Sequence, residues 1–347
     1  MNRGLVIAPN WIVSIGLLAM LLVLPVGAAT PTPSPEATKT QGQTGLMPVP
    51  LQPGEKLRVL ATTSIVGDVV KQVGGDYIDI SILLPIGTDP HTFEPTPKDV
   101  AAIADVQAIF ANGAGLEEFL DKMLKNAGGS APVVQVSEGI ALRQMSPGEI
   151  QAEGQSHQSG AQPTVEAGHT PVGADPHTWF TPVNVMIWVS NIVEALSALD
   201  PGHAAEYQAQ AVKYRDALAQ MDTWIQEQVA QVPPDSRSLV TDHLTFGYYA
   251  DRYGFQQIGA VIPSFSTAAQ ASARELAQLE DAIRQHKVKA IFVSNTVNPS
   301  LSQRVAEDMG VQLVTVYHGS LGAPGSGVES YLDLLRYDTM AIVNALK

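Results

Sequence analysis

Two series of short β-rich runs that alternate with helical stretches constrain this chain more than any other feature. The first series contains four apolar runs, at 57–62, 78–84, 108–111 and 133–136, with helical patterns that begin after Ser64, Thr96 and Leu116. The second contains runs near 239 and at 258–262, 290–293 and 312–316, with helical patterns at 246–253, 274–286, 301–309 and 328–346. Alternation of this kind is typical of mainly parallel sheets flanked by helices. The pattern therefore predicts an α/β fold with two similar lobes.

The stretch between the two series, 201–234, predicts a single long helix that joins the lobes. It is rich in Ala and Gln, and it has neither Pro nor Gly between residues 203 and 232. A rigid helix permits only modest tilting, unlike the wide hinge closure of sugar-binding or amino-acid-binding proteins. We place the first lobe at 56–200 and the second at 235–347. Within the first lobe, 146–174 is rich in Gly, Gln and Ser, which predicts a mobile loop.

The amino terminus indicates export. Residues 1–29 contain Arg3, an apolar run at 11–24 and small residues at 26–29, the pattern of a signal peptide. An uncleaved anchor is the alternative, because the run approaches the roughly 17 residues that can span a bilayer. Residues 30–55 are rich in Pro and Thr, which predicts a disordered tether. We expect the protein to be extracytoplasmic, in the periplasm or at the cell surface, and tethered there if the segment is retained.

The composition excludes several classes of site and partner. The 347 residues contain no Cys, which excludes disulfides, thiolate metal sites and a lipid anchor on cysteine within them. A formal net charge of −14 disfavours nucleic acid as a partner. Any metal site must therefore use nitrogen and oxygen ligands.

Two segments of the chain repeat the pattern Asp-Pro-His-Thr-aromatic followed by Thr-Pro. They are DPHTFEPTP at 89–97, which contains His91, and DPHTWFTP at 175–182, which contains His177. In each segment a proline fixes the backbone before the histidine, and Thr-Pro is typical of a helix start. One copy would be ordinary turn chemistry. Two copies with the same histidine offset favour a pair of metal ligands, because ligands must be held before the ion arrives.

A third candidate ligand is His243, in the segment SLVTDHLTFGYY at 238–249. This segment predicts a short buried strand that ends in a polar loop, and open α/β sheets bind ligands at the carboxyl ends of their strands. On its own, such a histidine is more often a hydrogen-bonded loop residue. Three histidines from separate strand and loop ends can meet in a cleft between lobes.

From residue 58 onward the chain resembles the solute-binding proteins of bacterial zinc and manganese ABC importers. The resemblance depends on four motifs in order: GTDPHTFEPT at 87–96, DPHTW at 175–179, DHLTFGY at 242–248 and YLDLLRY at 331–337. It implies two α/β lobes joined by a long helix, with the metal in the cleft between them. The residues that match the family's ligands are His91, His177 and His243.

The chain departs from the family at the usual fourth ligand. The family commonly has an Asp just before a Ser-Leu-Gly stretch, whereas this chain reads YHGSLG at 317–322, with Gly319 at that place. The neighbouring His318 is the candidate substitute. Water or a displaced carboxylate is the alternative.

These residues predict a zinc-binding protein that delivers Zn²⁺ to the membrane permease of an ABC importer, and we expect it to be a monomer. Imidazole suits zinc, whereas manganese prefers carboxylate and water oxygens. A manganese-binding homologue, with Mn²⁺ as cargo, is one alternative. A zinc hydrolase with three histidines and a water is another. The sequence, however, has no His-Glu-x-x-His motif and no obvious general base. Glu94 lies close to His91 in the sequence, but we interpret it as a carboxylate at the entry to a helix. We therefore predict a binding protein and no enzyme.

The four remaining histidines are predicted to have lesser roles. His157 and His169 lie in the 146–174 loop, where they are candidates for weak metal collection. His203, near a helix start, and His286, near a helix end, are predicted to be structural.

Overall fold

The first lobe is built on a four-stranded sheet, seen in a computed structural model that describes residues 45–128, 131–144 and 173–347. All its strands are parallel, in the order β2-β1-β3-β4. The strands are β1 (Leu57–Ala61), β2 (Ile78–Ile82), β3 (Ala108–Ala111) and β4 (Val133–Gln135). The helices are α1 (Ser64–Gly74), α2 (Pro97–Ala104) and α3 (Leu120–Ala127).

The second lobe repeats the same plan. Its strands are again parallel, in the equivalent order β6-β5-β7-β8. They are β5 (Ser238–His243), β6 (Gln256–Ile262), β7 (Ala290–Ser294) and β8 (Gln312–Val316). The lobe has the helices α6 (Gly247–Tyr253), α7 (Ala273–His286), α8 (Ser300–Met309) and α9 (Tyr331–Leu346). The predicted α/β fold with two similar parallel sheets is confirmed.

Two consecutive helices connect the lobes, α4 (Pro182–Leu199) and α5 (Ala204–Val229). The second is the predicted long helix, about 39 Å in length at 1.5 Å per residue. It buries one stripe of side chains: Tyr207, Ala211, Tyr214, Leu218, Met221, Ile225 and Val229. It ends earlier than the predicted 234 because Pro233 and Pro234 cannot continue a helix.

The helix α4 is long and apolar enough to cross a membrane by length and composition, and is the one described helix of which this is true. Its side chains Trp188, Ile192 and Leu196 are fully buried in the main apolar core. We therefore interpret it as a core helix of the folded body.

The main core extends from one lobe to the other. Val59 in the first sheet, Leu218 in α5 and Phe292 in the second sheet belong to the same buried cluster. An ion pair also joins α5 to α6, since the Asp222 carboxylate lies 2.5 Å from the Arg252 guanidinium. The lobes are therefore packed on a shared support.

The segment before β1 differs from the predicted disordered tether. Residues 45–55 follow the body: the Val49 N–H donates to the Leu199 carbonyl at 2.7 Å, and Leu46, Val49 and Leu51 pack against the core. The prediction failed here because these apolar residues, spaced among prolines, reach an apolar surface beside α4. The signal segment, residues 30–44, and His157 and His169 in the 146–174 loop lie outside the described residues.

Candidate metal centre

His91 lies in the loop that follows β2 and leads to α2. The Asp89 carboxylate accepts the His91 N–H at 3.0 Å, which closes a tight turn around the buried Pro90. Thr96 then caps α2 in a reciprocal capping box with Asp99, with Pro97 at the first helical position. His91 is thus held between two locally fixed turns, as the sequence predicts.

His177 is held by the same sequence pattern at the entry to α4. Asp175 accepts the His177 N–H at 3.0 Å, and the same carboxylate oxygen lies 2.8 Å from Nδ1 of the His177 ring. Thr181 caps α4 through the Asn184 N–H. Asp175 is fully buried, with the Arg143 guanidinium 3.8 Å from its second oxygen. This carboxylate fixes the orientation of the imidazole as well as the turn.

His243 is the last residue of β5, at the carboxyl end of the central part of the second sheet. Its ring is buried, and its Nδ1 lies 3.0 Å from the carboxylate of the preceding residue, Asp242. The other oxygen of Asp242 accepts the Ser294 N–H at 2.7 Å, at the end of the neighbouring strand β7. Like His177, His243 therefore has one ring nitrogen occupied by a carboxylate and the other free to point into the cleft.

The Nε2 atoms of the three histidines meet at one point. Nε2 of His177 lies 3.1 Å from that of His91 and 3.2 Å from that of His243. Nitrogen ligands of a tetrahedral zinc ion, with bonds of ~2.0–2.1 Å, lie about 3.3 Å apart. With Nδ1 of His177 and His243 turned to carboxylates, the facing Nε2 lone pairs repel one another unless a cation lies between them. The spacing is that of a metal site.

The surroundings favour the neutral form of His91 and His177, which is the form that binds metal. Burial lowers the pKa of His91 and of His177 well below the usual value, and the neighbouring His243 lowers both further. His91 is only half-buried, whereas His177 and His243 are buried. His91 therefore forms the accessible side of the site.

His318 lies beside the three histidines and outside their cluster. Its ring is 4.7 Å from that of His243, and its Nε2 lies 3.3 Å from the Asp242 carboxylate. Asp242, His243 and His318 thus form a second group of metal-binding side chains that shares His243 with the first. Burial lowers the pKa of His318, and the adjacent rings of His318 and His243 outweigh the burial of Asp242 and lower the pKa of its carboxyl.

Gly319 has no room for a larger side chain. A Cβ at this position would lie 2.8 Å from the Thr296 hydroxyl and 3.1 Å from Cδ of Pro90 in the opposite lobe. The place where the resembling family has an Asp is here a close contact between the lobes. The close packing of Pro90 therefore leaves too little space at position 319 for the carboxylate side chain that the resembling family commonly has there.

Among the described residues, the other predicted ones are not part of the three-histidine cluster. His203 hydrogen-bonds Asp200 at 2.7 Å and stacks beside Tyr77, and His286 is in the last turn of α7. Glu94 is exposed beside His91.

Sequence reasoning missed Asp242, although a charged residue near the end of an apolar strand was an available signal. It also missed Arg143 and Phe265, whose contacts with Asp175 and His177 link distant parts of the chain.

A protein-family model described as "ZnuA: Zinc-uptake complex component A periplasmic" matches residues 59–345. The chain belongs to this family. Its members are the metal-binding solute-binding proteins of ABC transporters, so the hydrolase alternative is set aside and an extracytoplasmic location is supported.

Relatives and solved structures agree on the family and differ in metal. The manganese-binding lipoprotein MntA of Halalkalibacterium halodurans is 31% identical over 294 residues, 84% of this chain and 89% of the relative. A manganese ABC transporter substrate-binding lipoprotein, PsaA of Streptococcus pneumoniae, is 29% identical over 300 residues, which are 84% of this chain and 90% of the relative.

Two solved structures superpose with a TM-score of 0.70 over 84% of this chain. One is a Cd-bound periplasmic metal binding protein from Candidatus Liberibacter asiaticus, 26% identical and covered completely. The other is the periplasmic zinc binding protein TroA from Treponema pallidum, 25% identical and covered over 99%. Similarity thus establishes a metal-binding protein without choosing the ion.

Proposed function

We propose that this protein captures Zn²⁺ outside the cytoplasm with His91, His177 and His243 and delivers it to the membrane permease of an ABC importer. The observation that carries the proposal is the meeting of three Nε2 atoms at 3.1 and 3.2 Å. Neutral imidazole is a preferred zinc ligand, and two of the rings have a carboxylate on Nδ1, as metal-binding histidines commonly do.

The make-up of the cluster supports zinc over manganese. Among the described residues, no carboxylate oxygen joins the three nitrogens within 4.8 Å. Manganese is better served by carboxylate and water oxygens. The Asp242 carboxylate contacts His243, but it faces Nδ1, whereas Nε2 of the same ring faces His177.

Manganese is the second candidate because relatives named as manganese-binding reach 31% identity. Asp242 is the residue through which Mn²⁺ would gain an oxygen ligand, if its side chain turned into the cleft. The two proposals therefore differ in whether a carboxylate enters the coordination shell.

For the fourth ligand we propose His318, with water as the alternative. The ring is close enough to His243 to reach a shared ion, but its Nε2 now faces Asp242 and has to turn from it. A His318→Ala substitution that weakens zinc binding about tenfold or more would support ligation, whereas an unchanged affinity would favour water.

Metal affinity of the purified, metal-stripped protein tests the proposal. Competition with a chromogenic chelator is expected to give one tight Zn²⁺ per chain and an affinity for Mn²⁺ lower by far more than tenfold. Each of His91→Ala, His177→Ala and His243→Ala should weaken zinc binding about a hundredfold or more, whereas His157→Ala and His169→Ala should not. A Mn²⁺ affinity within about tenfold of that for Zn²⁺ would contradict the choice of zinc.

Delivery is tested separately by uptake. Cells that produce the protein with its own permease should accumulate ⁶⁵Zn, and cells with the His177→Ala protein at equal abundance should not. Equal accumulation in the two would contradict a role for this site in import.

A further inference from the structure

A loop of the second lobe, residues 263–272 between β6 and α7, covers the three-histidine site. Its Ser264 carbonyl accepts the Leu244 N–H at 2.9 Å, directly after His243. The buried Phe265 ring lies 6.4 Å from the ring of His177. The loop is therefore attached to one strand that carries a ligand and packed over another ligand.

In the part of the chain that the structure describes, a side-chain hydrogen bond joins this covering loop to the opposite lobe. The Thr267 hydroxyl donates to Oδ2 of Asp89, a residue 178 positions away. The other oxygen of the same carboxylate accepts the His91 N–H at 3.0 Å. A single carboxylate thus connects the turn that holds His91 to the loop that covers His177.

The hydrogen bond lies on the accessible side of the site. His91 is the half-buried member of the three, and it borders an open cavity of about 680 Å³. Ala268, which follows Thr267, lines the same cavity. The described contacts therefore place Asp89 and Thr267 beside the half-buried ligand His91, where an ion can pass to and from solvent.

We infer that Asp89 and Thr267 form a latch between the lobes that slows release of the bound metal ion. The inference rests on the proposed function, because it concerns the ion bound by the three histidines. Both residues act through the His91 loop and are positioning residues. A hydrogen bond to a carboxylate is stronger than one between neutral groups. Its loss should let the His91 turn separate from the covering loop, so that the most accessible ligand leaves the ion first.

Thr267→Val is the decisive variant because it keeps the shape of the side chain and removes the donor. After rapid mixing of the zinc-loaded protein with excess chelator, we expect release about tenfold faster than in the unmodified protein. Thr267→Ser, which keeps the hydroxyl, should restore a rate near that of the unmodified protein. Thr223→Val is the matched control, since the exposed Thr223 hydroxyl donates to the Ala219 carbonyl of its own helix. A Thr267→Val release rate within twofold of the unmodified protein would overturn the latch.

Hydrogen exchange in the metal-free protein provides a readout that does not depend on metal binding. Amides of residues 86–95 should exchange faster in Thr267→Val than in the unmodified protein. Their exchange rates should be unchanged in Thr223→Val. Faster exchange without faster release would show that the contact holds the loop but does not control the ion, and it would overturn the inference. Unchanged exchange would also overturn it. If the unmodified protein binds neither Zn²⁺ nor Mn²⁺, the proposed function fails, and the role in release fails with it.

Discussion

The two Asp-Pro-His segments have the same local sequence but use their aspartates differently. In both, a carboxylate oxygen accepts the N–H of the histidine at 3.0 Å and forms the same turn. Asp175 is fully buried and also binds the ring of His177, whereas Asp89 is half-buried and binds Thr267 of the other lobe. The motif thus sets the backbone, and the surroundings decide what the carboxylate does. One segment is built to orient a ligand and the other to join the lobes.

The largest expected difference between the segments is in the histidines themselves. His177→Ala should weaken zinc binding about a thousandfold, because this ring is buried and its Nε2 lies next to both others. His91→Ala should cost less, about a hundredfold, since water can replace a ligand on the accessible side. Chelator competition measures both zinc affinities. An equal loss of affinity in the two variants would show that the buried and the accessible histidine contribute alike.

The next effect separates the two aspartates. Asp175→Asn should lower zinc affinity about ten- to a hundredfold, because the charge that orients and polarises the His177 ring is lost. Asp89→Asn should lower it by about tenfold at most and act mainly on the release rate, since the amide oxygen can still accept the His91 N–H. Titration and stopped-flow release on the same samples compare the two. Release equally fast in both variants would argue against a division of roles.

A smaller effect is expected where Pro90 of the first segment meets the second lobe. Gly319→Ala should lower the free energy of unfolding by about 1–3 kcal/mol, because the added methyl group crowds Thr296 and Pro90. Gly202→Ala is a suitable control, with its nearest atom at an ordinary 3.4 Å. Denaturant titration of the metal-free proteins tests this. Equal unfolding midpoints for Gly319→Ala and the unmodified protein would show that the contact can accommodate the added methyl group.

The smallest expected effect, on the pH dependence of stability, is similar for the two segments. The pKa of His91 and His177 is lowered in the folded protein, so the unfolded chain binds protons first as the pH falls below about 6.5. The metal-free protein should therefore lose stability between pH 7 and 5.5. The slope should be shallower in His91→Ala and in His177→Ala, as measured by denaturation at several pH values. A slope that neither substitution changes would place the titrating groups elsewhere.

Local signals explain why much of the fold was predictable. The apolar runs that gave β3 and β8, and the Thr-Pro pairs that begin α2 and α4, are encoded within a few residues. The same holds for the turns at His91 and His177. Their meeting with His243 followed from the rule that ligands gather at strand carboxyl ends.

What could not be predicted depends on contacts between distant residues. No local pattern indicates that Thr267 meets Asp89 or that Asp242 lies between two histidines. The packing of Leu46 and Val49 was missed for the same reason, since a Pro-rich composition outweighed a few apolar side chains whose partner surface appears only in the folded protein.

The α5 helix limits which molecules can enter the cleft. It runs unbroken from Ala204 to Val229, and Asp222 ties it to the second lobe. Because a continuous helix permits only modest tilting, we expect the opening between the lobes to stay nearly constant in width, so that cargo is selected by size before any ligand chemistry applies. A bare ion fits between surfaces that already touch at Pro90 and Gly319, whereas a sugar or an amino acid would need a gap that this backbone does not open.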